Sequence, residues 1–145
     1  MRGKSGYHRR GLRHAAGALL RCSCLFLLAA LASWPAPAGA GGNFSTASGV
    51  YTKDQAGSGK VLYQQHCLVC HDDGYFRPVL KRYHGQAASV LFDVMSGSMP
   101  ESNPGGLPDA EYLDILAYIF SRSRYPAGES RLTLEDLPSV TIEDP

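Results

Sequence analysis

Two thiols and an imidazole stand within five residues in Cys67-Leu-Val-Cys70-His71, and whatever this chain folds into has to serve them. The other two cysteines, Cys22 and Cys24, sit in sequence of a different kind. The first forty residues carry six Lys/Arg (Arg2, Lys4, Arg9, Arg10, Arg13, Arg21) and no Asp or Glu. An apolar run of about 13 residues follows Arg21 and ends at Trp34, before a small-x-small sequence at Ala38-Gly-Ala40. Basic region, short apolar region and small-residue ending are the parts of a secretory signal peptide. The run is well short of the ~20 residues a helix needs to span a bilayer, so residues 1–40 are expected to be a cleaved signal, with a retained anchor as the alternative. The residues after Arg9-Arg10 fit a twin-arginine signal poorly. Cys22 and Cys24 open the apolar run instead of following it, which argues against a lipid-modified cysteine.

Removing 1–40 leaves a chain long enough for one domain with a modest core. Its charge differs in sign from that of the whole. The full chain has a formal net charge of +1, but residues 41–145 hold 8 Lys/Arg against all 13 Asp/Glu, a net of −5. An acidic domain lacks the basic surface that phosphate backbones require, which argues against nucleic-acid binding. A protein partner with a basic patch fits better.

Residues 41–50 read as a flexible leader. Thr52 then has the features of a helix cap. Gln55 stands three residues on to complete a capping box, and Tyr51 is placed to pack on Ala56. That helix is expected to run to about His66, although Gly57 and Gly59 each weaken it by about 1 kcal/mol relative to Ala. Glycines kept in a helix often mark a close crossing with another. The segment Asp72 to Pro78 reads as a turn-rich loop. A second helix is expected over about 86–96, with Val90, Leu91, Val94 and Met95 at helical spacing, broken by Ser96-Gly-Ser-Met99-Pro100. A loop runs from Glu101 to Pro108. The last helix has the clearest pattern, an i, i+3, i+4, i+7 stripe of Tyr112, Ile115, Leu116 and Ile119. No strand pattern is convincing, and residues 126–145 are expected to lie as an extended tail on the surface.

The spacing of Cys67-x-x-Cys70-His71 is that of covalent haem attachment. Two thiols one turn apart can add to the two vinyl groups of one macrocycle, and the adjacent imidazole can reach the iron. Covalent attachment lets a domain this small keep a large apolar cofactor without a deep pocket. Three other uses compete. A disulfide oxidoreductase is expected near a βαβ pattern, which is missing. A zinc site could recruit Cys67 and Cys70 with two of His66, His71 and His84, but no second paired motif exists. A structural disulfide would close too small a loop to remove much unfolded-state entropy.

A haem iron with His71 on one side takes Met, His or nothing on the other. Met95 falls on the apolar face of an expected helix and reads as core packing. Met99 sits in a Gly/Ser loop stiffened by Pro100, which suits a ligand held at fixed distance. His84 and an open sixth position remain the alternatives, the latter permitting peroxidase-like or ligand-binding chemistry.

These residues resemble class I c-type cytochromes. The shared marks are Gly59-Lys-Val-Leu-Tyr63 leading into the Cys-x-x-Cys-His motif, then Pro78-Val-Leu80, Met99-Pro100 and Leu113-Asp-Ile-Leu-Ala-Tyr118-Ile. The resemblance spans about 50–125 and implies an all-α domain over 51–125, a bundle of three to four helices around one covalently bound haem c. It implies that the first and last helices cross near Gly59 and Tyr118. It also implies that the Pro78 carbonyl accepts a hydrogen bond from the second ring nitrogen of His71, and that Tyr83 lies near the haem propionates. The stretch from Tyr51, with Asn103-Pro-Gly-Gly106 and Tyr125-Pro-Ala-Gly128, is similar to cytochromes that accept electrons from quinoprotein dehydrogenases. Two features depart from the family pattern. His71 and Met99 are only 28 residues apart, so the haem-covering loop is short, and Pro108 stands where a serine cap is common, so the last helix is expected to start a residue or two later.

The expectation is a periplasmic electron carrier with one haem c, not an enzyme in its own right, though compatible with a place in a dehydrogenase or oxidase complex. It would pass single electrons between redox partners, from a quinoprotein dehydrogenase toward a terminal oxidase. Membrane contact is expected only if the N-terminal segment is retained. A zinc-stabilised interaction module is the alternative from another class.

Overall fold

The computed structural model describes residues 44–72 and 74–145; the signal expected over 1–40 lies outside them. The described elements are a short strand β1 (Phe44–Ser45), a 3₁₀ turn (Thr46–Ser48), helices α1 (Lys53–His66), α2 (Phe76–Arg82), α3 (Ala88–Ser98) and α4 (Asp109–Arg122), a second 3₁₀ turn (Leu137–Ser139) and strand β2 (Val140–Thr141). Four helices thus make the described residues a small all-α domain, of the class the resemblance implies.

Helix α1 begins as the sequence predicts on one side and differently on the other. The Gln55 N–H donates to Thr52 Oγ1 at 3.1 Å, and Tyr51 is buried just before the cap. The return bond of a capping box is not formed. The Gln55 amide instead turns inward, donating from Nε2 to the Leu132 carbonyl at 3.0 Å and accepting from the Leu132 N–H at 2.8 Å. A fully buried amide takes whichever partners would otherwise be left unpaired, and here those belong to the C-terminal segment.

Helices α1 and α4 form the main packing pair. Gly59 allows it: a β-carbon there would lie 1.7 Å from the Asp114 carbonyl oxygen. One turn further on, the rings of Tyr63 and Tyr118 meet at 5.2 Å between centroids. The crossing implied by the family resemblance near Gly59 and Tyr118 is therefore present. The buried residues of α4 include Tyr112, Ile115, Leu116 and Ile119, the whole predicted stripe. The helix starts at once after Pro108, whose carbonyl accepts from the N–H groups of Glu111 and Tyr112, so the late start does not occur. Pro108 has the extended backbone of a residue that leads into a helix, and its carbonyl starts the ladder without a side-chain cap.

Three expectations are corrected. The loop after His71 is shorter than predicted, because Phe76–Arg82 is helical and Pro78 sits within its first turn, where the missing N–H would have had no intrahelical partner. Helix α3 continues to Ser98. The segments read as leader and surface tail are folded together. Phe44 and Ser45 pair in parallel with Val140 and Thr141, and the Glu143 N–H donates to the fully buried Thr46 hydroxyl at 3.0 Å. Leu132, Leu137, Val140 and Ile142 are buried in the core. Ile142 also clasps the turn between α2 and α3, accepting from the Gly85 N–H at 2.8 Å and donating to the Gln86 carbonyl at 2.9 Å.

Candidate functional site

Cys67 caps the C-terminus of α1, its N–H donating to the Tyr63 carbonyl at 2.9 Å. The chain then winds through turns in which the Cys70 and His71 N–H groups both donate to the Cys67 carbonyl, at 3.1 and 2.9 Å. This compact turn brings Cys67, Cys70 and His71 to one wall of a small cavity of about 90 Å³, together with His66. Both cysteines are free thiols, Cys67 half-buried and Cys70 exposed. Burial pushes the Cys67 thiol above its ordinary pKa.

Met99 comes to the same cavity from the other direction, with Met95 and Pro100. It terminates α3 in an extended conformation, its N–H donating to the Met95 carbonyl at 2.9 Å. A second cleft of about 530 Å³ continues from this cavity, and His71, Phe76, Met95 and Met99 border both. Its remaining walls are largely apolar, from Val79 on α2 to Val90, Leu91 and Val94 on α3. Tyr83, Arg82 and Gln86 line it as well. His84 is exposed and lines neither space. A separate cavity of about 360 Å³ on the α1–α4 side is bordered by Arg77, Arg122 and Arg124 and contains none of the predicted site residues.

One expected contact is missing. His71 Nδ1 is buried with no hydrogen-bond partner, so the Pro78 carbonyl does not accept from it. Pro78 lies inside α2, where a carbonyl belongs to the helical i to i+4 ladder. The imidazole is instead held by rings, stacked on Tyr75 at 4.0 Å and edge-on to Phe76 at 5.7 Å between centroids.

Two tyrosines that the sequence shows only as apolar positions also hold this site. The Tyr63 hydroxyl donates its one proton chiefly to the His71 carbonyl at 2.7 Å, shared with the Asp72 carbonyl at 3.1 Å. The Tyr112 hydroxyl donates to the Met99 carbonyl at 2.5 Å. Neither role could be found from sequence, since nothing in an apolar stripe shows where a phenol will point.

The donor set fits a haem. Two thiols, the imidazoles of His71 (one ring nitrogen buried) and His66, and the thioethers of Met99 and Met95 border a mostly apolar space, a set that suits a large flat macrocycle with an iron at its centre. Among the described residues no group of three or more His, Cys, Asp or Glu converges as a metal ion bound by side chains alone would need. Comparison with known proteins agrees with the haem reading: residues 54–119 match the family described as cytochrome c oxidase, cbb3-type, subunit III. No curated protein and no solved structure matches the chain. The matched segment runs from the first turn of α1 to the last turn of α4 and takes in the Cys-x-x-Cys-His turn, the methionine and the helix crossing, which makes residues 54–119 a class I c-type cytochrome domain, of the electron-transfer family that binds haem c covalently.

Proposed function

We propose that the domain is a periplasmic single-electron shuttle whose haem c is thioether-linked to Cys67 and Cys70 and whose iron takes His71 and Met99 as axial ligands. The observation that carries this reading is the convergence of His71 and Met99 on one cavity whose wall also bears both thiols. Haem supplies reversible one-electron chemistry, and methionine ligation raises its potential. The chain's own work is to bind, orient and desolvate. The α1 C-terminus presents the thiols, α3 ends at Met99, and the α2 and α3 side chains cover the larger cleft.

The signal-like pattern of residues 1–40, a basic region, a short apolar run and a small-x-small ending, supports a periplasmic site of action. A net charge of −5 over 41–145 favours a donor or acceptor with a basic docking patch. The flow of electrons from a quinoprotein dehydrogenase toward a terminal oxidase rests on the local resemblance of Asn103-Pro-Gly-Gly106 and Tyr125-Pro-Ala-Gly128. Encounters of this kind use small interfaces and are brief.

The test is the mass and spectrum of full-length chain matured in a periplasm. The expected product starts near Gly41 or Gly42, exceeds its polypeptide mass by one haem, and shows in its ferric form the weak near-infrared band of methionine-ligated iron. Met99→Ala is expected to abolish that band while haem stays attached. A colourless product of bare polypeptide mass would overturn the proposal.

A further inference from the structure

We infer that Tyr112 is a positioning residue for the Met99 ligand, an assignment that rests on the ligand set proposed above. A helix leaves its last carbonyls without intrahelical partners, and one buried without a donor is costly. Met99 stands at that point, directly past the end of α3. Its carbonyl is taken up by the phenol of Tyr112, a side chain only 2% exposed, at 2.5 Å. The N–H of the same residue is fixed on the opposite side by Met95. The Met99 backbone is thus held by both α3 and α4, and the thioether starts from a set position at the cavity wall.

The His71 side of the site is built alike. The Tyr63 hydroxyl takes the His71 carbonyl, and Tyr63 lies on α1, the helix that crosses α4. Each proposed ligand therefore depends from a buried phenol, and the two phenols belong to the two helices of the main packing pair. This matters more for methionine than for histidine. A neutral thioether is a weak ligand, and its occupancy of the iron depends on how little freedom it loses on binding. Tyr112 is itself ordered by the edge of Phe92, with ring centroids 6.3 Å apart.

The experiment is imidazole titration of the ferric holoprotein, following loss of the near-infrared band, or the Soret shift where that band is missing. Tyr112→Phe keeps the ring on Phe92 and removes only the hydroxyl. It is expected to bind imidazole about three- to tenfold more tightly than wild type, the factor that the net worth of one hydrogen bond gives. The same substitution is expected to change nothing in a Met99→Ala background, where no thioether is left to position. A purely packing role for the hydroxyl would loosen the site in both backgrounds by the same factor, and that result overturns the assignment, as does an unchanged affinity in Y112F alone. The ligand reading is judged apart from this: if Met99→Ala by itself leaves the band and the imidazole affinity as in wild type, Met99 is not the ligand.

Discussion

Gly59 lies so close to Asp114 that any β-carbon would stand 1.7 Å from the Asp114 carbonyl oxygen and 2.3 Å from its carbonyl carbon. The obstacle is helix backbone, which cannot swing aside as a side chain can. Gly59→Ala must separate α1 from α4 and disturb the Tyr63–Tyr118 contact one turn on. Overpacking usually costs about 1–3 kcal/mol, and backbone obstruction belongs at or above the top of that range. At Gly57, two residues away, a β-carbon meets nothing within 4 Å. Gly57→Ala is therefore expected to stabilise the holoprotein by about 1 kcal/mol through helix propensity. Denaturant unfolding of the two variants checks the pair; equal effects of one sign would refute the crossing.

The buried amide of Gln55 makes two hydrogen bonds to the Leu132 backbone across 77 positions of sequence. Gln55→Leu keeps the volume but strands a buried N–H and a buried carbonyl. Each such loss costs about 1–3 kcal/mol. For a domain of this size the thermal midpoint is expected to fall by about 10 °C or more. The variant should also free residues 132–145 to proteolysis, because the amide anchors the segment that leads to the Ile142 clasp. A calorimetric midpoint within a degree or two of wild type would show that the amide adds little.

Burial pushes the phenols of Tyr51 and Tyr125 above their ordinary pKa, and the nearby charges of Asp144 and Glu143 push Tyr125 the same way against the opposing effect of the Thr46 hydroxyl. Each phenol donates to a carbonyl, Tyr51 to Tyr125 and Tyr125 to Glu143, and ionisation would destroy the donor. A folded-state pKa above the unfolded value means that the native state holds its proton more tightly. The contribution is complete below the ordinary tyrosine pKa of about 10 and is lost as pH rises through the raised value. The thermal midpoint should accordingly stay level up to about pH 9.5 and fall beyond it. Tyr51→Phe is expected to lower stability by about 1 kcal/mol at neutral pH and to make the alkaline decline shallower. An unchanged alkaline slope in Y51F would assign the decline to other groups.

How far each element is legible in the sequence differs, for physical reasons. Helices α1, α3 and α4 carry periodic apolar faces or caps, and their existence is legible at Thr52, Leu91 and the Tyr112–Ile119 stripe. Helix α2 is hidden because Pro78 and the preceding Asp-Gly pair read as turn chemistry, while proline in a first turn is tolerated by a helix. The C-terminal segment is hidden more deeply. Leu132, Leu137, Val140 and Ile142 form no helical stripe and hold only one i, i+2 step, at Val140 and Ile142, too short to read as a strand, since a two-residue strand pair, turns and one buried amide 77 residues away from Leu132 hold the segment. The thiols, His71 and Met99 are legible because their chemistry is local in sequence. Tyr63 and Tyr112 are not, because a hydroxyl aimed at a distant carbonyl leaves the same trace as any buried aromatic residue.

The acidity of residues 41–145 sets the last prediction, on electron-transfer kinetics. With 8 Lys/Arg against 13 Asp/Glu the formal charge is −5, before any ionised haem propionates are added. Opposite charges raise the encounter rate and salt removes the gain, with a screening length of about 8 Å at physiological ionic strength. A small cationic cobalt complex should therefore oxidise the reduced holoprotein more slowly as salt increases, and anionic ferricyanide more quickly. The local surface complicates this in a useful way, because Arg82 lines the larger cleft and Arg77, Arg122 and Arg124 border the cavity on the α1–α4 side. If electrons leave near these arginines, the two oxidants will respond to salt in the reverse order, and the basic-patch partner would have to be given up in favour of an acidic one. Stopped-flow rates across a range of ionic strengths decide between the two signs.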